Sequence, residues 1–307
     1  MTMTACVFPG QGSQSKGMLS DLAQAHSVVK DTFNQASEVL GYDLWATVQE
    51  DAEHKLDETQ VTQPAILTAS VAVWRTINPD LSQFKFLAGH SLGEYSALVC
   101  SGAMEFEDAV KLVEMRGNYM QQAVPAGTGA MYAIIGLDDD KIAQICQQIA
   151  SETGNIISPV NFNSPGQVVI AGEKSAAELA GNACKEAGAK RALPLAVSVP
   201  SHCDLMRPAA EKLEQALQTT EIKTPKIAVI NNVDVVIETQ PDAIKNALVR
   251  QLYCPVQWTR TVKYMASNGV AKLLEVGPGK VLTGLTKRID KSLEATAINT
   301  PELIAEL

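Results

Sequence analysis

The sequence predicts an α/β protein in which a parallel sheet covered by helices is interrupted by a smaller βαββαβ unit. Three observations predict it. Strand, loop and helix alternate over the first 120 residues, the pattern changes past Val124-Pro125-Ala126-Gly127, and the first pattern resumes near residue 206.

The elements follow in order. Ala5-Cys6-Val7-Phe8 is β-rich and runs into Pro9-Gly10-Gln11-Gly12-Ser13-Gln14, after which helical periodicity extends from Leu19 to Leu40. Thr62-Gln63-Pro64 starts a helix with Pro64 in its first turn, and Ile66 to Ile77 carry it on. Lys85-Phe86-Leu87-Ala88 is a short strand ending in Gly89-His90-Ser91-Leu92-Gly93, with a small-residue helix from Glu94 to Val99. In the second pattern Met131–Ile135 reads as strand, Asp138–Ala150 as helix, and Ile156–Phe162 as strand. Asn163-Ser164-Pro165-Gly166 then turns the chain into the returning strand Val168–Ala171, followed by the helix Ser175–Ala187 and a last strand, Arg191–Val197. That order is the ferredoxin-like split unit. Residues 126–197 are therefore expected as an insert between core segments 1–125 and 198–307. The core resumes with a helix from Met206 to Leu217, the strand Ile227–Ile230, helices over Ala243–Leu252 and Thr261–Ala266, and the strand Lys272–Val276.

Composition excludes several functions. Of 307 residues 46% are hydrophobic and 19% charged, as in a folded globular chain and unlike a disordered or coiled-coil one. Lys and Arg number 25 against 34 Asp and Glu, so a net charge of −9 disfavours nucleic acid as a partner. The amino terminus has no basic stretch before Pro9-Gly10, and no apolar run reaches membrane-spanning length of roughly 18 residues. A cytoplasmic location is expected. Cys6, Cys100, Cys146, Cys184, Cys203 and Cys254 are scattered without a Cys-x-x-Cys pair, so they read as buried thiols and no metal is expected.

Gly89-His90-Ser91-Leu92-Gly93 fits Gly-x-Ser-x-Gly between a strand and a helix. That context suits a tight elbow presenting Ser91 Oγ, although a structural Gly-Ser turn has the same letters. A serine hydroxyl needs a base, and four histidines exist. His26 lies on a polar helix face, His54 lies in a charged run, and His90 adjoins Ser91 in a turn that points neighbours apart. His202, where the chain leaves the insert, remains by elimination. Arg116 shares a helical face with Ala109, Leu112, Val113 and Met120, so its guanidinium is buried and needs a partner. That partner is either a protein carboxylate or a substrate carboxylate gripped by two parallel hydrogen bonds. Gly10-Gln11-Gly12-Ser13-Gln14-Ser15 lacks the Gly-Lys-Ser/Thr ending of a phosphate loop, but it can aim one backbone N–H at a developing oxyanion.

Phe8-Pro9-Gly10-Gln11-Gly12-Ser13-Gln14, Gly89-His90-Ser91-Leu92-Gly93-Glu94-Tyr95, Pro200-Ser201-His202, Arg250-Gln251-Leu252-Tyr253 and Glu275-Val276-Gly277-Pro278-Gly279 occur together in this order. In these motifs the chain, from Val7 to Ile289, resembles the malonyl-CoA:acyl carrier protein transacylases of bacterial fatty acid synthesis. The resemblance implies an α/β-hydrolase-like core with a ferredoxin-like insert. It also implies Ser91 as the acylated nucleophile, His202 as general base, the backbone N–H groups of Gln11 and Leu92 as oxyanion donors, and Arg116 as the group that binds the malonyl carboxylate. In the family a main-chain carbonyl orients the histidine, and the matching position is Gln251. Cys254 stands where the family pattern leads one to expect a polar residue. The implied reaction is ping-pong transfer from malonyl-CoA to the phosphopantetheine thiol of acyl carrier protein, with no cofactor. An acidic carrier needs a basic dock, and Lys272, Lys280, Lys287, Arg288 and Lys291 face only Glu275 and Asp290 within their stretch, with Lys190 and Arg191 as possible additions. Two other functions fit less of this pattern. A serine hydrolase would place an Asp or Glu against His202, and a non-catalytic carrier-binding module would form no acyl-serine.

Overall fold

The computed structural model describes residues 3–52, 54–196 and 199–307. It is a mixed α/β structure with one parallel and one separate antiparallel sheet. The strands are β1 (Met3–Phe8), β2 (Phe84–Gly89), β3 (Gly129–Ile135), β4 (Ile157–Ser164), β5 (Gln167–Glu173), β6 (Arg191–Pro194), β7 (Ala228–Ile230), β8 (Val270–Val276) and β9 (Glu294–Ile298). The first sheet has the order β7-β2-β1-β8-β9 with every neighbour parallel. The second has the order β4-β5-β3-β6 with every neighbour antiparallel.

Helices on both faces explain the apolar runs of the parallel strands. Along β1, Cys6 and Phe8 join a cluster with Leu22, Phe33, Ile66 and Leu92, while Ala5 and Val7 join Trp258, Val262 and Leu282 on the opposite face. In the antiparallel sheet, Ile134, Val168 and Ile170 pack beneath the helices Asp139–Thr153 and Lys174–Glu186. Its other face turns Met131, Val160 and Val169 toward Cys203. Main-chain bonds tie the two sheets' territories together: Phe162 N–H donates to the Val256 carbonyl at 3.0 Å, and Val256 N–H to that of Val160 at 2.8 Å.

Several expected boundaries shift. The helical run from Leu19 is two helices, Ser20–Ala25 and Ser27–Leu40, because His26 between them is extended at φ −138°. The helix carrying Pro64 begins at Thr59, so the proline lies inside it rather than in its first turn. The last antiparallel strand stops at Pro194. The expected limits of the insert and of the resumed core, at Val197 and Ser198, fall outside the described residues. Pattern reading passed over β9 and the helices Leu44–Glu50 and Val281–Ile289.

Candidate active site

The site lies at the carboxyl ends of β1 and β2, where open parallel sheets bind ligands. Between β2 and the helix Gly93–Cys100, Ser91 takes a left-handed conformation at φ 52°. A side chain in that region is strained, so the turn must be held from outside. The flanking glycines are required by contact: a Cβ on Gly93 would lie 2.1 Å from the Phe8 carbonyl oxygen, and one on Gly89 1.8 Å from the Gly93 carbonyl carbon. Asn232, at the end of β7, clamps the turn. Its Oδ1 accepts from Ser91 N–H at 2.6 Å and its Nδ2 donates to the Gly89 carbonyl at 2.6 Å.

Ser91 Oγ lies 2.7 Å from Nε2 of His202. His202 is buried, itself left-handed at φ 65°, and held by its N–H on the Leu252 carbonyl at 3.0 Å. Its Nδ1 lies 2.6 Å from the main-chain carbonyl of Gln251. A carbonyl oxygen carries no proton, so Nδ1 is the donor there and the lone pair of Nε2 faces the serine hydroxyl. Burial pulls the His202 pKa down to about 3, with Arg116 pressing the same way and the Gln251 bond opposing. The ring is therefore neutral, and a neutral imidazole can accept a proton.

Arg116 sits on the helix Phe106–Ala123 and is 1% exposed. Its partners are two neutral oxygens, Gln63 Oε1 at 2.8 Å from Nη1 and Gln251 Oε1 at 3.1 Å from Nη2, and its guanidinium lies 5.6 Å from the centre of the Tyr95 ring. No carboxylate pairs with it among the described residues. Of the two partners open on sequence, a protein carboxylate in direct contact is not the one found. A buried acid that bears electrostatically on Arg116 is Glu94, whose Oε2 accepts from Gln251 Nε2 at 2.8 Å and Asn232 N–H at 3.0 Å. Burial pushes Glu94 up to about 7 against those bonds and the pull of Arg116.

Ser91, His202, Arg116, Gln63, Leu92 and Gln11 line one crevice of about 110 Å³, closed on its apolar side by Met120, Met131 and Val199. It opens past Gln11, His90, Asn161 and Leu195 into an outer recess of about 380 Å³ bordered by Val281 and Leu285. With Ser91 N–H taken by Asn232, the N–H groups of Leu92 and Gln11 are left without a protein acceptor among the described residues. His90 is bonded elsewhere: its Nε2 donates to Asn163 Oδ1 at 2.8 Å and its ring meets the edge of Trp258. His26 and His54 lie on other parts of the chain, His54 exposed.

Sequence reading passed over Gln63, Asn232 and Glu94. Glu94 did leave a signal, the one charge in a short and mostly apolar helix, whereas Gln63 is masked by Thr59, Gln60 and Thr62 around it. Asn232 left none, because it reaches the elbow from 141 residues away. Among the expected docking residues, Lys280, Lys287, Arg288 and Lys291 are exposed, on or beside the helix that borders the recess. Lys272, expected among them, does not join them. It lies near the amino end of β8, opposite the crevice, and faces Glu294 at 3.6 Å. Glu275 is spent inside, 1% exposed and accepting from the N–H groups of Leu282 and Thr283, where it caps that helix. Five cysteines are buried and Cys254 is partly so.

The frame is thus a parallel sheet with a polar crevice at its strand ends, joined to a small antiparallel sheet. The chain belongs to the acyl transferase domain family, which matches residues 5–306. More narrowly, it is 61% identical over 306 residues to the malonyl CoA-acyl carrier protein transacylase of Escherichia coli K12, covering 99% of this chain and 98% of the relative. A crystal structure of an acyl carrier protein S-malonyltransferase from Vibrio cholerae superposes with a TM-score of 0.96 at 62% identity, covering 99% of both chains. A malonyl-transacylase in complex with its type II PKS acyl-carrier protein superposes with a TM-score of 0.96 at 59% identity, covering 99% of this chain and 98% of that one.

Proposed function

We propose that the chain transfers malonyl groups from malonyl-CoA to the phosphopantetheine thiol of acyl carrier protein through a malonyl-Ser91 ester. The observation that carries this reading is the placement of the Ser91–His202 pair, at 2.7 Å, in one crevice with a buried arginine whose hydrogen-bond partners are both uncharged. Ser91 Oγ attacks the thioester carbonyl as Nε2 of His202 takes its proton, and the backbone N–H groups of Gln11 and Leu92 hold the oxyanion. Collapse breaks the carbon–sulfur bond, and the departing thiolate takes the proton from Nε2. In the second half the carrier's thiol gives its proton to Nε2 and attacks the ester, and Oγ recovers the proton as it leaves. The malonyl carboxylate occupies Arg116, which the crevice otherwise leaves with only amide partners. That occupancy also offsets the positive charge bearing on His202, easing the brief formation of imidazolium.

The two sheets are read as an α/β-hydrolase-like core, 1–125 and 198–307, and a ferredoxin-like insert, 126–197. The strand order β4-β5-β3-β6 and its two covering helices support the second assignment. No described helix is long and apolar enough to cross a membrane. We place the reaction in the cytoplasm and the carrier beside Lys280, Lys287, Arg288 and Lys291. A hydrolase reading expected an acid against His202, whereas Nδ1 meets a main-chain carbonyl. Intact-mass measurement after mixing with malonyl-CoA alone tests the proposal. One malonyl adduct, mapping to Ser91 and absent from Ser91→Ala, is expected. Free malonate with no adduct would favour hydrolysis, and no change at all would end the catalytic reading.

A further inference from the structure

Behind the crevice wall lies a buried acid that takes no part in the acyl transfer proposed. Glu94 follows the elbow by three residues and is 3% exposed. Its Oε2 accepts from Gln251 Nε2 at 2.8 Å, and the same Nε2 also donates to the Ser91 carbonyl at 3.1 Å. Both amide hydrogens of Gln251 are thus engaged on one side, which forces Oε1 to the other, toward Arg116 Nη2. Flipping this amide would set Oε1 against a carboxylate and a carbonyl, and an NH₂ group against a guanidinium N–H. Through its second bond, from Asn232 N–H at 3.0 Å, the same oxygen holds the residue that clamps the Ser91 turn.

We propose that Glu94 is a positioning residue that fixes the Gln251 side chain, and through it the direction in which Arg116 presents its guanidinium to the acyl chain. Glu94 does not line the crevice, and it reaches Arg116 through the Gln251 side chain that it holds. This rests on Arg116 holding the malonyl carboxylate. Because the carbonyl that orients His202 belongs to the Gln251 backbone, displacing the side chain disturbs acyl selection more than proton transfer.

Two substitutions separate reach from charge. Glu94→Asp keeps the charge and retracts the carboxylate by one methylene, and Glu94→Gln keeps the reach and loses the charge. Steady-state transfer to carrier protein from malonyl-CoA and from acetyl-CoA is measured for each, with thermal midpoints alongside. Glu94→Asp is expected to lose roughly tenfold in malonyl-over-acetyl preference, through a raised KM for malonyl-CoA, as one displaced buried hydrogen bond implies. Glu94→Gln is expected to stay within about threefold of the parent chain, because its amide oxygen can accept the same two bonds. Parent-like preference in Glu94→Asp, or a Glu94→Gln variant no better than Glu94→Asp, overturns the proposal. Should Glu94→Asp not fold, Gln251→Met replaces it, removing the oriented amide while sparing the main-chain carbonyl. The same selective rise in KM is expected, and its absence overturns the proposal. Failure of the parent chain itself to prefer malonyl-CoA would instead strike the underlying reading of Arg116.

Discussion

Replacing Arg116 with alanine tests the proposal that this guanidinium sets acyl choice. In the crevice the guanidinium is 1% exposed and bonded to the amide oxygens of Gln63 and Gln251, so its charge is available to a ligand. A malonyl carboxylate placed there after substitution would be buried without a counter-charge, at a cost of about 3–5 kcal/mol. At about 1.4 kcal/mol per factor of ten, kcat/KM for malonyl-CoA should fall by roughly two to three and a half powers of ten. An acetyl group loses no such partner. The substitution also removes a positive charge that depresses His202, leaving a stronger base for acetyl transfer. Competition between malonyl-CoA and acetyl-CoA at subsaturating concentration reads the ratio directly, with Arg116→Lys as a control that keeps the charge and loses the planar fork. An Arg116→Ala variant that kept the parent's malonyl-to-acetyl ratio within about threefold would refute the reasoning.

Other expectations follow from the same geometry. Gly93→Ala drives a Cβ to 2.1 Å from the Phe8 carbonyl oxygen, backbone that cannot yield cheaply, so urea denaturation should show a loss on the order of 3 kcal/mol. A parent-like midpoint would mean that the elbow can move. Since burial holds His202 neutral far below its ordinary pKa of ~6.5, kcat/KM for malonyl-CoA should stay level from pH 8 to about 5, and an acid limb centred near 6.5 would show the ring titrating as if exposed. In the same window the unfolded chain binds a proton that the folded one refuses. His202 therefore withdraws stability as pH falls from ~6.5 toward about 3, at about 1.4 kcal/mol per pH unit, and denaturation of the parent beside His202→Ala would reveal the difference in slope. Finally, Lys287→Glu combined with Arg288→Glu should raise KM for carrier protein roughly tenfold and leave KM for malonyl-CoA unchanged, with the effect shrinking as salt is added. An unchanged carrier KM would place the dock elsewhere.

The chain's local grammar was readable wherever a segment makes its own case. Apolar runs ending at Phe8 and Gly89 became adjacent parallel strands, and the glycine spacing around Ser91 marked a tight turn. Reading failed where a neighbour overrides the local preference. Leu19 to Leu40 keep one helical period, yet the backbone breaks at His26. Lys272 belonged to a basic stretch by position, yet β8 carries it to the far end of the sheet and into contact with Glu294. Residue separation along the chain measures charge density poorly once a strand of 7 residues intervenes.

By itself the sequence determined the residue types and their local poses: a hydroxyl on a glycine-flanked turn, an imidazole after the antiparallel unit, and a cation on an apolar helical face. Folding decided how they meet. Tertiary packing brings Ser91 and His202, 111 positions apart, to 2.7 Å, and delivers Asn232 and Gln251 to the elbow from still farther along the chain. Periodicity encodes which face a residue takes on its own element. The hydrogen-bond partners of a buried polar group depend on which elements become neighbours, and only the packed structure fixes that.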